Sequence, residues 1–205
     1  MVLIVPHNNY WQDQDESEVD RLLGARSEGD VNFSLNQHIA VMTSGKCQMR
    51  ITHEETSDND GIIEVDLGGF TPIGMSEAKF KTFSGSILGS KANAQFAQAL
   101  YYIYRCSSYR ESMKFIWLTS PSKFHLILLD ENKELIESLY KFFSSRKVTP
   151  SLAYQLPGIG DIFKEHPLNI ARSFVINRDF KTSEFLCETL NRIGIPAEIR
   201  DGFNN

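Results

Sequence analysis

Gly61-Ile62-Ile63-Glu64-Val65-Asp66-Leu67-Gly68-Gly69-Phe70, then Thr71-Pro72-Ile73-Gly74, then Met75-Ser76-Glu77-Ala78-Lys79-Phe80 is the stretch whose reading decides the fold. Successive side chains of a strand point to opposite faces. Period two therefore places Glu64 and Asp66 on one face, with Ile63, Val65 and Leu67 on the other. In the second segment Glu77 and Lys79 share a face, opposite Ser76, Ala78 and Phe80. With 62–70 and 75–80 as strands and 70–74 as a turn built on Pro72, the strands pair as a hairpin. In the right register three carboxylates and one ammonium then converge on one patch. Like charges that close are costly unless something compensates, and a divalent cation does so. The same alternation marks any antiparallel strand with one wet face, and that plainer reading stands beside the first.

Upstream, the acids Asp13, Asp15, Glu16, Glu18 and Asp20 lead into Val19, Leu22 and Leu23, a stripe closed by Gly24. That pattern predicts a short helix with acids in its first turn, where the helix dipole favours them. Residues 36–43 and 47–53 read as β-type, and Thr56 to Gly61 as a turn. Downstream, a Gly/Ser-rich passage over 84–90 precedes a helix at 92–105 with the stripe Phe96, Ala99, Leu100, Ile103. The runs 114–119 and 124–129 are continuous apolar strands of the kind a covered sheet contains, and 131–143 is a helix. After a loop holding Pro150, Pro157, Gly158 and Gly160, a strand at 173–177, a helix at 182–193 and a strand at 196–200 read as a βαβ-like unit. The class expected is α/β or α+β: a mixed central sheet flanked by helices. Its core domain spans 1–149, and a C-terminal extension over 150–205 packs on it.

Composition narrows the function. The chain has 205 residues, 41% hydrophobic and 23% charged, which is globular rather than disordered usage. Lys+Arg is 21 against Asp+Glu 26, so an electrostatic coat for nucleic acid is disfavoured, though a local basic cleft is compatible. Cys47, Cys106 and Cys187 offer neither a disulfide framework nor a CxxC knuckle, which favours a reduced, cytoplasmic setting. The apolar start stops at Pro6 and reads as a strand rather than a leader. No apolar run approaches the roughly 20 residues that span a bilayer, so a soluble protein with no membrane partner is expected. The five histidines have no HxH or HxxxH spacing, which speaks against zinc, and His125 reads as a partly buried, hydrogen-bonded residue. Tyr101, Tyr102, Tyr104 and Tyr109 read as an aromatic core edge and Cys106 as a small buried hydrophobe.

The hairpin motif and the helix after it resemble the PD-(D/E)xK nuclease superfamily, with its restriction-endonuclease-like core. The matching residues are Asp66 in Glu64-Val65-Asp66-Leu67 and Glu77-Ala78-Lys79 as the (D/E)xK element; Gln95 and Gln98, near the start of the next helix, follow the family's order. Val65 stands where the family pattern carries a proline. The resemblance implies a metal-dependent endonuclease with Asp66, Glu77 and Lys79 as catalytic residues. Asp66, Glu77 and the backbone carbonyl of Ala78 would hold Mg²⁺ or Mn²⁺, oxygen ligands being what such an ion takes. Glu64, or Glu16 and Glu18 from the first helix, would add a further acid, and Gln95 would support the site. Lys79 would orient the attacking water and stabilise developing charge. Lys81, Lys91, Arg105, Arg110 and Lys123 would line a nucleic-acid cleft. DNA is the expected substrate, with RNA left open, and the enzyme would act as a homodimer or within a larger nuclease or transposase assembly. The competing function is a nuclease-like fold kept as a non-catalytic binding or assembly subunit. The two differ in whether Asp66 and Glu77 share one ion.

Overall fold

Six strands build one mixed sheet in the order β2-β3-β4-β5-β6-β7, and two more, β1 and β8, pair in parallel beside it. The computed structural model describes residues 2–6, 26–43, 45–52, 60–78, 91–119, 123–146, 153, 155–175 and 182–200. The strands are β1 (Leu3–Pro6), β2 (Cys47–Thr52), β3 (Asp60–Asp66), β4 (Phe70–Ala78), β5 (Phe115–Thr119), β6 (Lys123–Leu128), β7 (Arg172–Val175) and β8 (Ala197–Arg200). The helices are α1 (Glu28–Met42), α2 (Lys91–Arg105), α3 (Ser107–Ser112), α4 (Lys133–Ser144), α5 (Ile159–Glu165) and α6 (Thr182–Arg192). Neighbours in the large sheet are antiparallel except β4 and β5, which run parallel and are bridged by α2. The mixed sheet flanked by helices is the class the sequence predicts.

Each face of the sheet has its own core. On one face Val31, Leu35 and Ile39 of α1 and Phe185, Leu186 and Leu190 of α6 pack on Ile63, Val65, Trp117 and Phe124. On the other, α2, α4 and α5 bring Phe96, Leu100, Leu139, Phe143 and Phe163 onto Ile62, Met75, Ile116 and Ile127. Burial on both faces is why Phe115 to Leu118 of β5 form an unbroken apolar run.

Three expectations are corrected. The stretch 36–43, read as β-type, is the second half of α1 for residues 36–42. Its apolar residues continue the i, i+4 stripe that begins at Val31, and a short apolar run taken alone does not distinguish helix from strand. The start signal is present: Ser27 Oγ accepts the Asp30 N–H at 3.1 Å, and the Asp30 carboxylate accepts the Arg26 N–H at 2.8 Å, a variant of the capping box. Residues 70–74 are strand, not turn; the chain reverses at Leu67–Gly69 instead. Pro72 is accommodated by a bulge: Ile63 pairs with Gly74 and Glu64 with Pro72, leaving Ile73 as the extra residue. Finally, the strands of the C-terminal βαβ-like unit belong to different sheets, because β7 pairs with β6 and β8 pairs with β1.

Candidate functional site

Glu77 lies near the C-terminal end of β4, paired with Leu118 of β5, and its side chain is completely buried. The carboxyl ends of parallel strands are where open α/β sheets hold ligands, and β4 and β5 are the parallel pair of this sheet. Thr119, also buried, donates its hydroxyl to the Glu77 carbonyl at 3.4 Å. The Thr119 carbonyl in turn accepts from Gln95 Nε2 at 3.4 Å. Gln98, three residues on along α2, is buried as well. A carboxylate and two carboxamides are thus enclosed where a helix crosses the ends of two strands. The glutamines stand on α2 because its apolar stripe turns the same side of the helix to the sheet.

Asp66 is elsewhere. It pairs with Phe70 at the hairpin tip, seven residues along β4 from Glu77 and roughly 20 Å away at strand rise. Its Oδ1 accepts the N–H groups of Gly68 at 3.1 Å and Gly69 at 2.9 Å, closing an Asx-type turn through two glycines at φ +103° and +152°. A turn over 70–74 would have set Asp66 against Ala78, beside Glu77; the turn at Leu67–Gly69 removes that pairing. Glu64 is likewise a structural acid. It accepts from Gln48 Nε2 and Arg50 Nε of β2, each at 3.1 Å, and Arg50 donates onward to the Tyr109 hydroxyl at 3.2 Å. That hydroxyl, and after it Glu64, raises the guanidinium's pKa against the opposing effect of burial.

The position that the register does bring beside Glu77 is Asp60. Gly61 pairs with Ser76, so Asp60 on β3 and Glu77 on β4 are each the next residue along their strands. Sequence reading assigned Asp60 to a turn. The signal that identifies it is the hairpin count outward from Gly68-Gly69.

Among the remaining candidates, Ala78 is the last residue of β4 and pairs with Thr119. Lys91 opens α2. Glu16, Glu18, Lys79 and Lys81 lie outside the described residues. Arg105 ends α2, ten residues from Gln95 and so about 15 Å from it along the axis. Arg110 stacks over Tyr104, 5.7 Å from the ring centroid. Neither arginine is at the Glu77 end of the sheet, whereas Lys123, at the start of β6, is. Cys106, expected to be buried, is half-exposed and stands 3.1 Å from Ser108 Oγ.

Glu77, Leu118, His125 and Ser173 form one row across four strands. His125 Nδ1 lies 2.8 Å from Ser173 Oγ, and burial first, then the Lys123 charge, lower the histidine pKa below its usual value. Among the described residues no group of three or more His, Cys, Asp or Glu side chains is placed to hold a metal ion. No described helix is long and apolar enough to cross a membrane. Compared with known proteins, the chain matches no family model, no curated protein and no solved structure.

Proposed function

We propose that the protein is a metal-dependent phosphodiesterase acting on DNA, with Asp60, Glu77 and Lys79 as its working residues. The observation that carries this reading is the complete burial of the Glu77 carboxylate at the end of the parallel strand pair. A carboxylate removed from water is costly unless a cation and hydrogen bonds accompany it. The hairpin register puts Asp60 at the next backbone position opposite Glu77, and two acids at such positions are a pair that a cation would accommodate. The sequence adds a lysine two residues after Glu77. Two acids, a lysine and the Gln95 carboxamide on the following helix keep the order of elements that the nuclease resemblance implies, with Asp60 taking the role first given to Asp66.

The donor set fits Mg²⁺ or Mn²⁺, hard ions that accept a few carboxylate oxygens and complete their shell with water and phosphate. When bound, such an ion polarises the scissile phosphate and acidifies a water. The chain's own part would be to hold that ion through Asp60 and Glu77. Lys79 would stabilise charge developing on the phosphate oxygens.

A second reading, a non-catalytic binding subunit, is favoured by the roughly 20 Å at strand rise between Asp66 and Glu77, which keeps them from sharing one ion, and by Glu64 and Asp66, whose side chains are engaged in holding the sheet edge and the hairpin. Incubation with plasmid DNA, linear DNA, single-stranded DNA and RNA, each with Mg²⁺, Mn²⁺ or EDTA, separates the two. The enzyme reading predicts metal-dependent cleavage of a DNA substrate that falls about 10²-fold or more in Glu77→Gln and Lys79→Ala. No cleavage of any substrate, or undiminished cleavage in both variants, would leave the binding subunit as the better account.

A further inference from the structure

A cleft of about 550 Å³ opens between α3, α4 and the end of α6, at the opposite end of the sheet from Glu77. Lys114, on its wall, immediately precedes β5, whereas Glu77 is level with Leu118 near that strand's far end. Four cationic side chains line it, Arg110, Lys114, Lys133 and Arg192, against two carboxylates, Asp130 and Glu137. That local excess is notable in a chain with five more acids than bases. Arg192 is balanced by Glu188, 3.1 Å away. Among the described residues Lys114 and Lys133 enter no ion pair, and both are exposed. The remaining wall is apolar: Ile136 and the Tyr140 ring on α4, with Met113, Leu129 and Ile193. The Tyr140 hydroxyl, neutral at pH 7 as any phenol is and pushed further up to about 12 by burial, adds no negative charge.

We infer that this cleft binds a nucleoside phosphate. Its volume falls in the range of small-molecule sites. Two exposed lysines lining one cleft, from the start of β5 and from α4, suit a phosphate with two negative charges. The Ile136 and Tyr140 wall suits a planar base, on which aromatic stacking is sequence-tolerant. Asp130 and Glu137 supply acceptors for ribose hydroxyls or a base amino group. Inorganic phosphate alone would leave the apolar wall unused, and a neutral nucleoside would leave the lysines unused. The inference is independent of the catalytic proposal, because the two regions share no residue.

The test is calorimetric titration of the whole chain, in EDTA, with AMP, ADP, adenosine and pyrophosphate as probes. AMP or ADP should bind at least about tenfold more tightly than adenosine or pyrophosphate. The paired substitution Lys114→Ala and Lys133→Ala should weaken nucleotide binding by about tenfold or more, the scale of a lost charge-assisted hydrogen bond. Both lysines are exposed, so the variant's melting curve should match wild type and certify its fold. No binding of either nucleotide overturns the inference. So does equal affinity for adenosine or for pyrophosphate, or nucleotide binding that the paired substitution leaves unchanged.

Discussion

His125 shows how one residue links packing to pH. Its imidazole is held below the ordinary value of 6.5 by burial and then by Lys123, and Ser173 hydrogen-bonds it. A histidine harder to protonate when folded than when unfolded contributes stability above its unfolded pKa. That contribution drains away as pH falls from about 6.5 through the lower native value. Wild type should therefore lose stability between pH 7 and pH 5 more steeply than His125→Gln. Urea melts of both proteins across that interval measure the difference, and parallel curves would remove His125 as the cause. Glu64 gives the converse lesson. Its place in an acidic cluster follows from alternation alone, but Gln48 and Arg50 on the neighbouring strand had already claimed it. Alternation names the face of a strand and leaves open what lies across from it.

At the scale of elements the β3–β4 hairpin governs the reading of the site. Both Gly68-Gly69 and Pro72 are turn signals, and choosing between them sets the register. Proline attracts the assignment because it lacks the ladder N–H. The bulge at Ile73 frees the strand from that requirement, and the glycines supply the left-handed backbone the reversal needs. Strand and helix positions elsewhere were legible because their patterns are long: 92–105, 114–119, 124–129 and 131–143 all lie within a few residues of α2, β5, β6 and α4. The site was less legible because a change of turn centre moves every cross-strand partner. Glu77 survives that change; Asp66 does not. The pairing of β4 with β5 also explains Gly74, where an added Cβ would collide with the Phe115 ring. Gly74→Ala should cost about 1–3 kcal/mol by overpacking. A urea-denaturation cycle with Phe115→Leu should recover part of that loss, since the two positions are in contact. Additive effects would show that the ring is not what the glycine accommodates.

At the scale of the whole molecule, the C-terminal segment completes both cores. Phe185, Leu186 and Leu190 of α6 cover Trp117 and Phe124 on one face, and Ile159 and Phe163 of α5 join the other. The buried Trp117 indole donates to Thr189 Oγ1 at 3.1 Å, so removing α6 would strand a polar group as well as uncover apolar surface. A chain ended at residue 149 should show no cooperative calorimetric transition, while the full chain melts in one. A cooperative melt of the shortened chain would mark 1–149 as a self-sufficient core.

The central claim is that the hairpin register makes Asp60, and not Asp66, the partner of Glu77 in a cation site. Its most direct measurement is the shift in melting temperature on adding Mn²⁺ to wild type, Asp60→Asn, Glu77→Gln and Asp66→Asn. An ion that binds only the folded state raises its stability in proportion to the logarithm of its saturation ratio. Wild type and Asp66→Asn should rise together, because the Asp66 carboxylate serves the turn, while Asp60→Asn and Glu77→Gln should rise much less. A wild type indifferent to Mn²⁺, or a rise lost in Asp66→Asn and kept in Asp60→Asn, would contradict the account.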